Sequence, residues 1–198
     1  GVMHQCTGAH HRMLGGDHGT IVGGSYSNIK RGSYCAIVGG THNEIDGVGP
    51  GSAIIGGLRN RVTGSCATII GSQSSRAVGA YSAIVGGTLN VASGTASVIL
   101  GRNNSASGSD SSAIGNGNTC TGDFSQAAGQ ANLVQHHYSA VLGGRGSSTR
   151  WDGERVEWGY RDATSGTNVW RKVFSLDLTR FTNDIEWAKL ETMNGVTG

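Results

Sequence analysis

One short pattern, two apolar residues followed by glycine, recurs along most of this chain and limits what it can fold into. The copies read TIVGG, AIVGG, AIIGG, TIIGS, AIVGG, VILGR, SAIGN, QAAGQ and AVLGG, and Met13-Leu14-Gly15-Gly16 looks like a tenth copy at the start. Their first glycines follow one another at steps of 16, 17, 15, 15, 15, 14, 14 and 14 residues: Gly23, Gly39, Gly56, Gly71, Gly86, Gly101, Gly115, Gly129 and Gly143. Repetition at a short, nearly fixed period is typical of solenoids, whose repeats pack only on their neighbours.

A second glycine lies inside seven successive repeats, and the next first glycine follows it after seven residues in all of these but one. The exception contains Val48-Gly49-Pro50, and its step is nine. We therefore expect two short strands per turn with glycine at the corners, because glycine reaches positive φ without a Cβ clash. The GG doublets and the longer steps predict small bulges in the other half of the turn.

Asn or Ser stands between the two glycines of most repeats, where its side chain is expected to bond backbone or to stack in a ladder. These residues are Asn28, Asn43, Asn60, Ser75, Asn90, Asn118 and Asn132.

The two residues before each first glycine are apolar, as in Ile21-Val22 and Ile37-Val38. Neighbouring residues of a strand point to opposite faces, so both faces of this strand must be buried. One face can fill the lumen of a thin coil, whereas the other needs a surface from another chain. We therefore expect a homotrimer around a threefold axis.

The run Ser111-Ser112-Ala113-Ile114-Gly115-Asn116-Gly117-Asn118, continuing to Gly122, resembles the repeat of YadA-like heads of trimeric autotransporter adhesins. The resemblance covers about residues 12–148, and it implies a left-handed parallel β-roll built as a trimer. The chain departs from that family in its 15- to 17-residue turns and its GG doublets, and the adhesin neck sequence is missing after residue 148.

Rolls of this kind also occur in tail fibres and other structural proteins of bacteriophages. The stretches Gly144-Arg145-Gly146, Arg155-Val156-Glu157-Trp158 and Arg161-Asp162-Ala163-Thr164 loosely resemble a β-domain that follows such rolls in phage proteins. This second resemblance favours a virion over a bacterial cell surface as the location.

Composition changes near residue 150, and all four tryptophans lie beyond it. We therefore divide the chain into a lead-in (1–11), the roll (12–148) and a β-rich C-terminal cap or tip module (149–198). Arg155 to Arg161 and Lys172 to Leu178 alternate polar and apolar residues, which predicts two antiparallel strands joined by a turn-rich stretch. Asn183 and Glu186 fit a capping box at a helix start, and a strand fits that final piece equally well.

Four aromatic residues of this module are candidate contacts for a host receptor glycan, since aromatic rings give a large contact area at low entropic cost. The alternative, which we favour, is that they form the core of the module. They are Trp151, Trp158, Tyr160 and Trp170.

Other sites are not indicated. The seven histidines show no HxH or HExxH spacing, so we expect no metal, and the glycine-rich stretches lack the GK[ST] of a phosphate-binding loop, so we expect no cofactor. The few acids of the roll do not fall at matching phases of neighbouring turns, as a carboxylate pair for glycan hydrolysis requires. We expect no enzyme.

A formal net charge of +2 and 14% charged residues predict no binding to nucleic acid, and we expect no membrane insertion. The leading hypothesis is a non-catalytic structural and host-attachment protein of a phage or viral fibre, which contacts a cell-surface glycan and other virion proteins. The alternatives are the head of a bacterial surface adhesin and a capsule-degrading tailspike enzyme.

Overall fold

The chain forms two parallel β-sheets that face each other across a narrow lumen. The computed structural model describes residues 5–47, 49–161 and 168–172. The long sheet contains β1 (Gln5–Ala9), β3 (Thr20–Ser25), β5 (Ala36–Val38), β7 (Ala53–Ile55), β9 (Thr68–Ile70), β11 (Ala83–Val85), β13 (Val98–Arg102), β15 (Ser112–Asn116), β17 (Gln126–Gln130), β19 (Ala140–Val141), β20 (Arg155–Arg161) and β21 (Asn168–Lys172). The short sheet contains β2 (Arg12–Met13), β4 (Asn28–Arg31), β6 (Glu44–Asp46), β8 (Arg61–Val62), β10 (Arg76–Ala77), β12 (Val91–Ala92), β14 (Ser105–Ala106), β16 (Thr119–Cys120) and β18 (Leu133–Val134).

Each turn contributes one strand to each sheet, so the chain is a β-solenoid of about ten turns. Thr20 pairs with Ala36, Ala36 with Ala53, and Val98 with Ser112, which gives turns of 16, 17 and 14 residues. The predicted all-β solenoid with two short strands per turn is confirmed.

Met13-Leu14-Gly15-Gly16 is not a tenth copy of the long-sheet repeat, so that prediction is wrong. Met13 pairs with Ile29 in the short sheet, half a turn away from the strands that contain the other copies. The long-sheet equivalent is β1, where Cys6 pairs with Ile21 and Thr7 with Val22. The step of eight residues before Gly23 is therefore half a turn, and the long sheet already includes residues of the segment 1–11.

From β3 to β20, each strand places one apolar side chain in the lumen, and each of these is at most 2% exposed. In the first two strands, Cys6 is exposed and Met13 is only partly buried. The long sheet contributes Ile at the N-terminal end and smaller residues further on: Ile21, Ile37, Ile54, Ile69, Ile84, Ile99, Ala113, Ala127, Val141 and Val156. The short sheet contributes Ile29, Ile45, Val62, Ala77, Ala92, Ala106, Cys120 and Val134. Such a coil is too thin to hold more than one layer of small and branched side chains.

A buried polar ladder follows the lumen and satisfies the backbone at one corner of each turn. The side-chain oxygen of Asn104 accepts the backbone N–H of Asn118 at 2.8 Å, and the Asn118 amide donates to the carbonyl oxygen of Gly129 at 2.9 Å. The predicted ladder is confirmed with two corrections. Asn28 lies beside the ladder in β4, and Asn104 belongs to it although the prediction omitted that residue. Its members are Ser27, Asn43, Asn60, Ser75, Asn90, Asn104, Asn118, Asn132 and Ser147.

The glycine doublets are the predicted bulges. Gly87 and Gly101 occupy the same position in successive turns, because a Cβ on Gly87 would overlap the carbonyl oxygen of Gly101. Gly86 is then the inserted residue, with φ +70° and open space where its Cβ would lie. In the 14-residue turns the single glycine takes a wider φ, +118° at Gly101, and the strand continues through it.

The hairpin at the C-terminal end is partly as predicted. Strand β20 has the predicted bounds, continues the long sheet by pairing in parallel with β19, and pairs antiparallel with β21. The second strand begins at Asn168 rather than Lys172, because Val169 and Trp170 already pair with Tyr160 and Gly159. Residues 173–178 and the capping-box residues Asn183 and Glu186 lie outside the described residues.

Candidate functional site

The outer face of the long sheet presents a continuous apolar surface. Residues that directly follow the lumen residues point outward, and most are 38–45% exposed. We call this row the outer strip: Val22, Val38, Ile55, Ile70, Val85, Leu100, Ile114, Ala128 and Leu142. Its eight strand spacings of roughly 4.8 Å make it about 38 Å long. The nine three-residue segments from 20–22 to 140–142 that form this face contain no charged residue.

The outer face of the short sheet is different, since charges cover its N-terminal part. Glu44 pairs with Lys30 at 2.7 Å and with Arg61 at 3.1 Å. Asp46 pairs with Arg31 at 2.8 Å and with Arg61 at 3.0 Å. The hydrogen bond from Arg31 lowers the pKa of Asp46 and raises the pKa of the Arg31 guanidinium. Glu44 and Asp46 are thus each bound to cations on neighbouring strands, and they share Arg61.

Two columns of left-handed residues run along the corners of the solenoid, and most of their members are not glycine. The first corner column includes His10, Tyr26 and His42, with φ between 52° and 58°. Tyr26 stacks on both histidines, with ring centroids 4.8 and 5.0 Å apart.

The second corner column lies at the opposite corner of the turn. Its members are His18, Tyr34, Gly51, Cys66, Tyr81, Ala96, Asp110, Phe124, Tyr138 and Gly153. From Tyr34 onward, each member donates its backbone N–H to a carbonyl oxygen of the previous turn. The residue that accepts it stands immediately before the previous member of the column.

The C-terminal end of the second corner column brings aromatic and ionisable side chains together. Phe124 and Tyr138 stack with centroids 5.1 Å apart and planes inclined by 1°. Asp123, His137 and Asp152 each precede a member of this column. The Asp123 backbone N–H donates to Nδ1 of His137 at 3.0 Å, and the His137 backbone N–H donates to the Asp152 carboxylate at 2.9 Å. An oxygen of the Asp123 carboxylate lies 3.5 Å from the same Nδ1 atom. Sequence reasoning missed this group, and the 14-residue spacing of Phe124 and Tyr138 was the signal for it.

The four predicted contact residues fall into two places. Trp151 is 51% exposed and lies in the turn between β19 and β20. Trp158 and Tyr160 lie in β20, and Trp170 lies in β21, opposite Gly159. This register places Trp170 on the other face of the hairpin from Trp158 and Tyr160.

Reactive and metal-binding groups are scarce in the part of the chain that the structure describes. Burial raises the pKa of the Cys35 and Cys120 thiols, which makes them poor nucleophiles, whereas Cys6 and Cys66 are exposed. Within residues 5–47, 49–161 and 168–172 no three His, Cys, Asp or Glu residues are arranged to hold a metal ion. Over the same residues no helix has the length and apolarity that would cross a membrane.

The fold and these surfaces define a β-solenoid protein with an apolar outer face. A scan against protein-family models finds no match for the chain, and a search of curated proteins finds no matching sequence.

Proposed function

We propose that this chain is a non-catalytic shaft segment of a phage or viral fibre, built as a left-handed homotrimeric roll that carries a receptor-contact or capping module at its C-terminal end. The observation that carries the proposal is the outer strip. A row of Val, Ile and Leu side chains about 38 Å long, each about two-fifths exposed, is a surface that water disfavours and a partner would cover.

Copies of the same chain are the partner that fits this strip best. A matching partner must offer an equally long, straight and uncharged face, and a second copy of the solenoid has one with the same strand spacing. Cyclic symmetry along the shaft keeps all copies pointing in one direction, which a fibre with a base and a tip requires. Three copies then enclose the three strips around one axis.

A trimeric shaft suits attachment because it presents three identical contact sites on one stiff rod. Binding several receptors at once raises avidity without any new contact. In this proposal the receptor is a host cell-surface glycan that contacts Trp151, which is 51% exposed. Trp158, Tyr160 and Trp170 are assigned to the core of the module. The base of the shaft joins other virion structural proteins.

The head of a bacterial trimeric adhesin is the second candidate, because the same roll and the same strip serve it equally. Tail-assembly genes beside the coding sequence would favour the virus, and a membrane-anchor barrel encoded downstream would favour the adhesin. A capsule-degrading tailspike is the third candidate, and incubation with host polysaccharide would reveal it if the polysaccharide chains became shorter.

The assembly is tested by sedimentation equilibrium of the chain and of two matched lysine variants. We expect three times the chain mass at micromolar concentration. Val85→Lys places a charge in the outer strip, at a residue 43% exposed, and should give monomers. Val78→Lys alters an equally apolar residue, 38% exposed, that lies outside the strip and should leave the trimer intact. A monomeric parent chain, or equal dissociation of both variants, would refute the proposed shaft.

A further inference from the structure

We infer that the open ring face of Tyr138 binds a neutral pyranose unit of a glycan, which occupies the place that Gly153 leaves empty in the second corner column. Tyr138 is 68% exposed. The next member of the column is Gly153. Its backbone N–H donates to the carbonyl oxygen of His137 at 2.9 Å, as in the other members of the column. Gly153 has φ +74°, and no atom of the described residues lies within 4 Å of the position of a Cβ. The column is therefore interrupted at its last described aromatic ring.

The stacking of Phe124 on Tyr138 fixes the direction in which the open face points. The two planes are almost parallel and one strand spacing apart, so the ring normal of Tyr138 follows the shaft. Phe124 covers one face of Tyr138, and the other faces the turn that contains Gly153. A sugar ring placed there continues the stack, with its C–H face on the aromatic π-system.

A carboxylate borders the same position. Asp152 is exposed and directly precedes Gly153, and one of its oxygens accepts the backbone N–H of His137, which leaves the second oxygen for a sugar hydroxyl. The His137 ring contacts the preceding turn instead, where its Nδ1 accepts the Asp123 backbone N–H and lies 3.5 Å from an Asp123 carboxylate oxygen. A ring platform beside a carboxylate can bind both the apolar face and the hydroxyl groups of a sugar.

The surrounding charge favours a neutral sugar over an anionic one. Asp110, Asp123 and Asp152 lie within four successive turns at this corner, and Asp152 is the one beside the open ring face. The cations of the adjoining segment are Arg150 and Arg155, and Arg155 pairs with Glu157 at 2.8 Å. A uronic or sialic acid would add a further carboxylate to this group and be repelled.

The chain contains natural controls for this geometry. Tyr81 is 65% exposed in the same column, but Ala96 rather than glycine follows it. Tyr34 is followed by Gly51, yet there the Cys66 sulfur lies 3.6 Å from the Cβ position, and Pro50 replaces the aspartate. The Tyr138 position alone among these three combines an open ring face with a carboxylate beside it.

This site rests on the proposed attachment function and extends it to the side of the shaft. The test is saturation-transfer NMR on the whole chain with the methyl glycosides of glucose, galactose and mannose, and with methyl glucuronide as the anionic comparison. We expect transfer to the ring protons of at least one neutral glycoside, reduced about tenfold by Tyr138→Ala and unchanged by Tyr81→Ala. Gly153→Asn should fill the gap and block transfer while the fold is kept, since Asn103 adopts φ 55° at the other corner.

Three outcomes would overturn the inference: no transfer to any neutral glycoside, equal losses in Tyr138→Ala and Tyr81→Ala, or glucuronide binding as strong as that of the neutral sugars. Sedimentation of the same samples separates the two proposals. An intact trimer without sugar contact refutes this site alone, and a monomer that binds the sugar refutes the assembly alone.

Discussion

At single residues, glycine serves this fold by being small as well as by its freedom in φ. A Cβ on Gly79 would overlap the carbonyl oxygen of Gly94 in the next turn, although Gly79 has no positive φ. The same close approach recurs at the equivalent glycines: Gly64, Gly94, Gly108 and Gly122. The turns stack so tightly at these glycines that a side chain there would overlap the backbone of the next turn.

We therefore expect Gly79→Ala to destabilise the chain by at least about 1–3 kcal/mol, as overpacking of a rigid interior does. Gly143→Ala is the matched control, because Gly143 has neither a positive φ nor an atom within 4 Å of its Cβ position. It should be neutral or slightly stabilising. Thermal unfolding followed by circular dichroism measures both, and equal midpoints for the two variants would contradict the steric explanation.

At the level of strands and corners, the sequence predicted what depends on a repeated residue type. Glycine doublets mark the bulges, and the apolar pairs before the first glycines mark the lumen strands, because only small or branched apolar side chains fit the lumen. The second corner column was not predictable in this way. Its residues point into solvent and are fixed by backbone hydrogen bonds, so Tyr34, Cys66 and Asp110 are equally acceptable there. The proposed neutral-sugar site lies in this column. The sequence therefore indicates it only through the 14-residue spacing of Phe124 and Tyr138.

The charged network of the short sheet gives a prediction about pH. Arg31 lowers the folded-state pKa of Asp46 below its ordinary value near 4. The ion pairs of Asp46 therefore stabilise the fold fully at pH values above the ordinary pKa. This stabilisation is lost as the pH falls through the lowered, folded-state pKa. Asp46→Asn should lower the thermal midpoint by about 2–4 °C at pH 7, as a loss of up to about 1 kcal/mol implies.

The difference in thermal midpoint between Asp46→Asn and the parent chain should shrink below about pH 4. It should also shrink in roughly 1 M salt, where the Debye length is only about 3 Å. Asp110→Asn is the control, since Asp110 forms no salt bridge with the residues that the structure describes, and its left-handed φ of 52° suits Asn. A pH-independent effect of Asp46→Asn would show that the network acts through packing and not through charge.

Over the whole molecule, each turn contacts only its neighbours, so the shaft should tolerate the loss of a complete turn. Deleting residues 105–118 joins Asn104 to Thr119, and both then keep their places in the ladder and in the short sheet. The shortened chain should fold, keep its oligomeric state and become shorter by about 4.8 Å. Deleting residues 105–111 removes half a turn and places β15 where β14 should lie. That variant should lose cooperative thermal unfolding, because every later lumen residue would be out of phase. Equal stability of the two deletions would refute the assignment of the 14-residue turn as the structural unit.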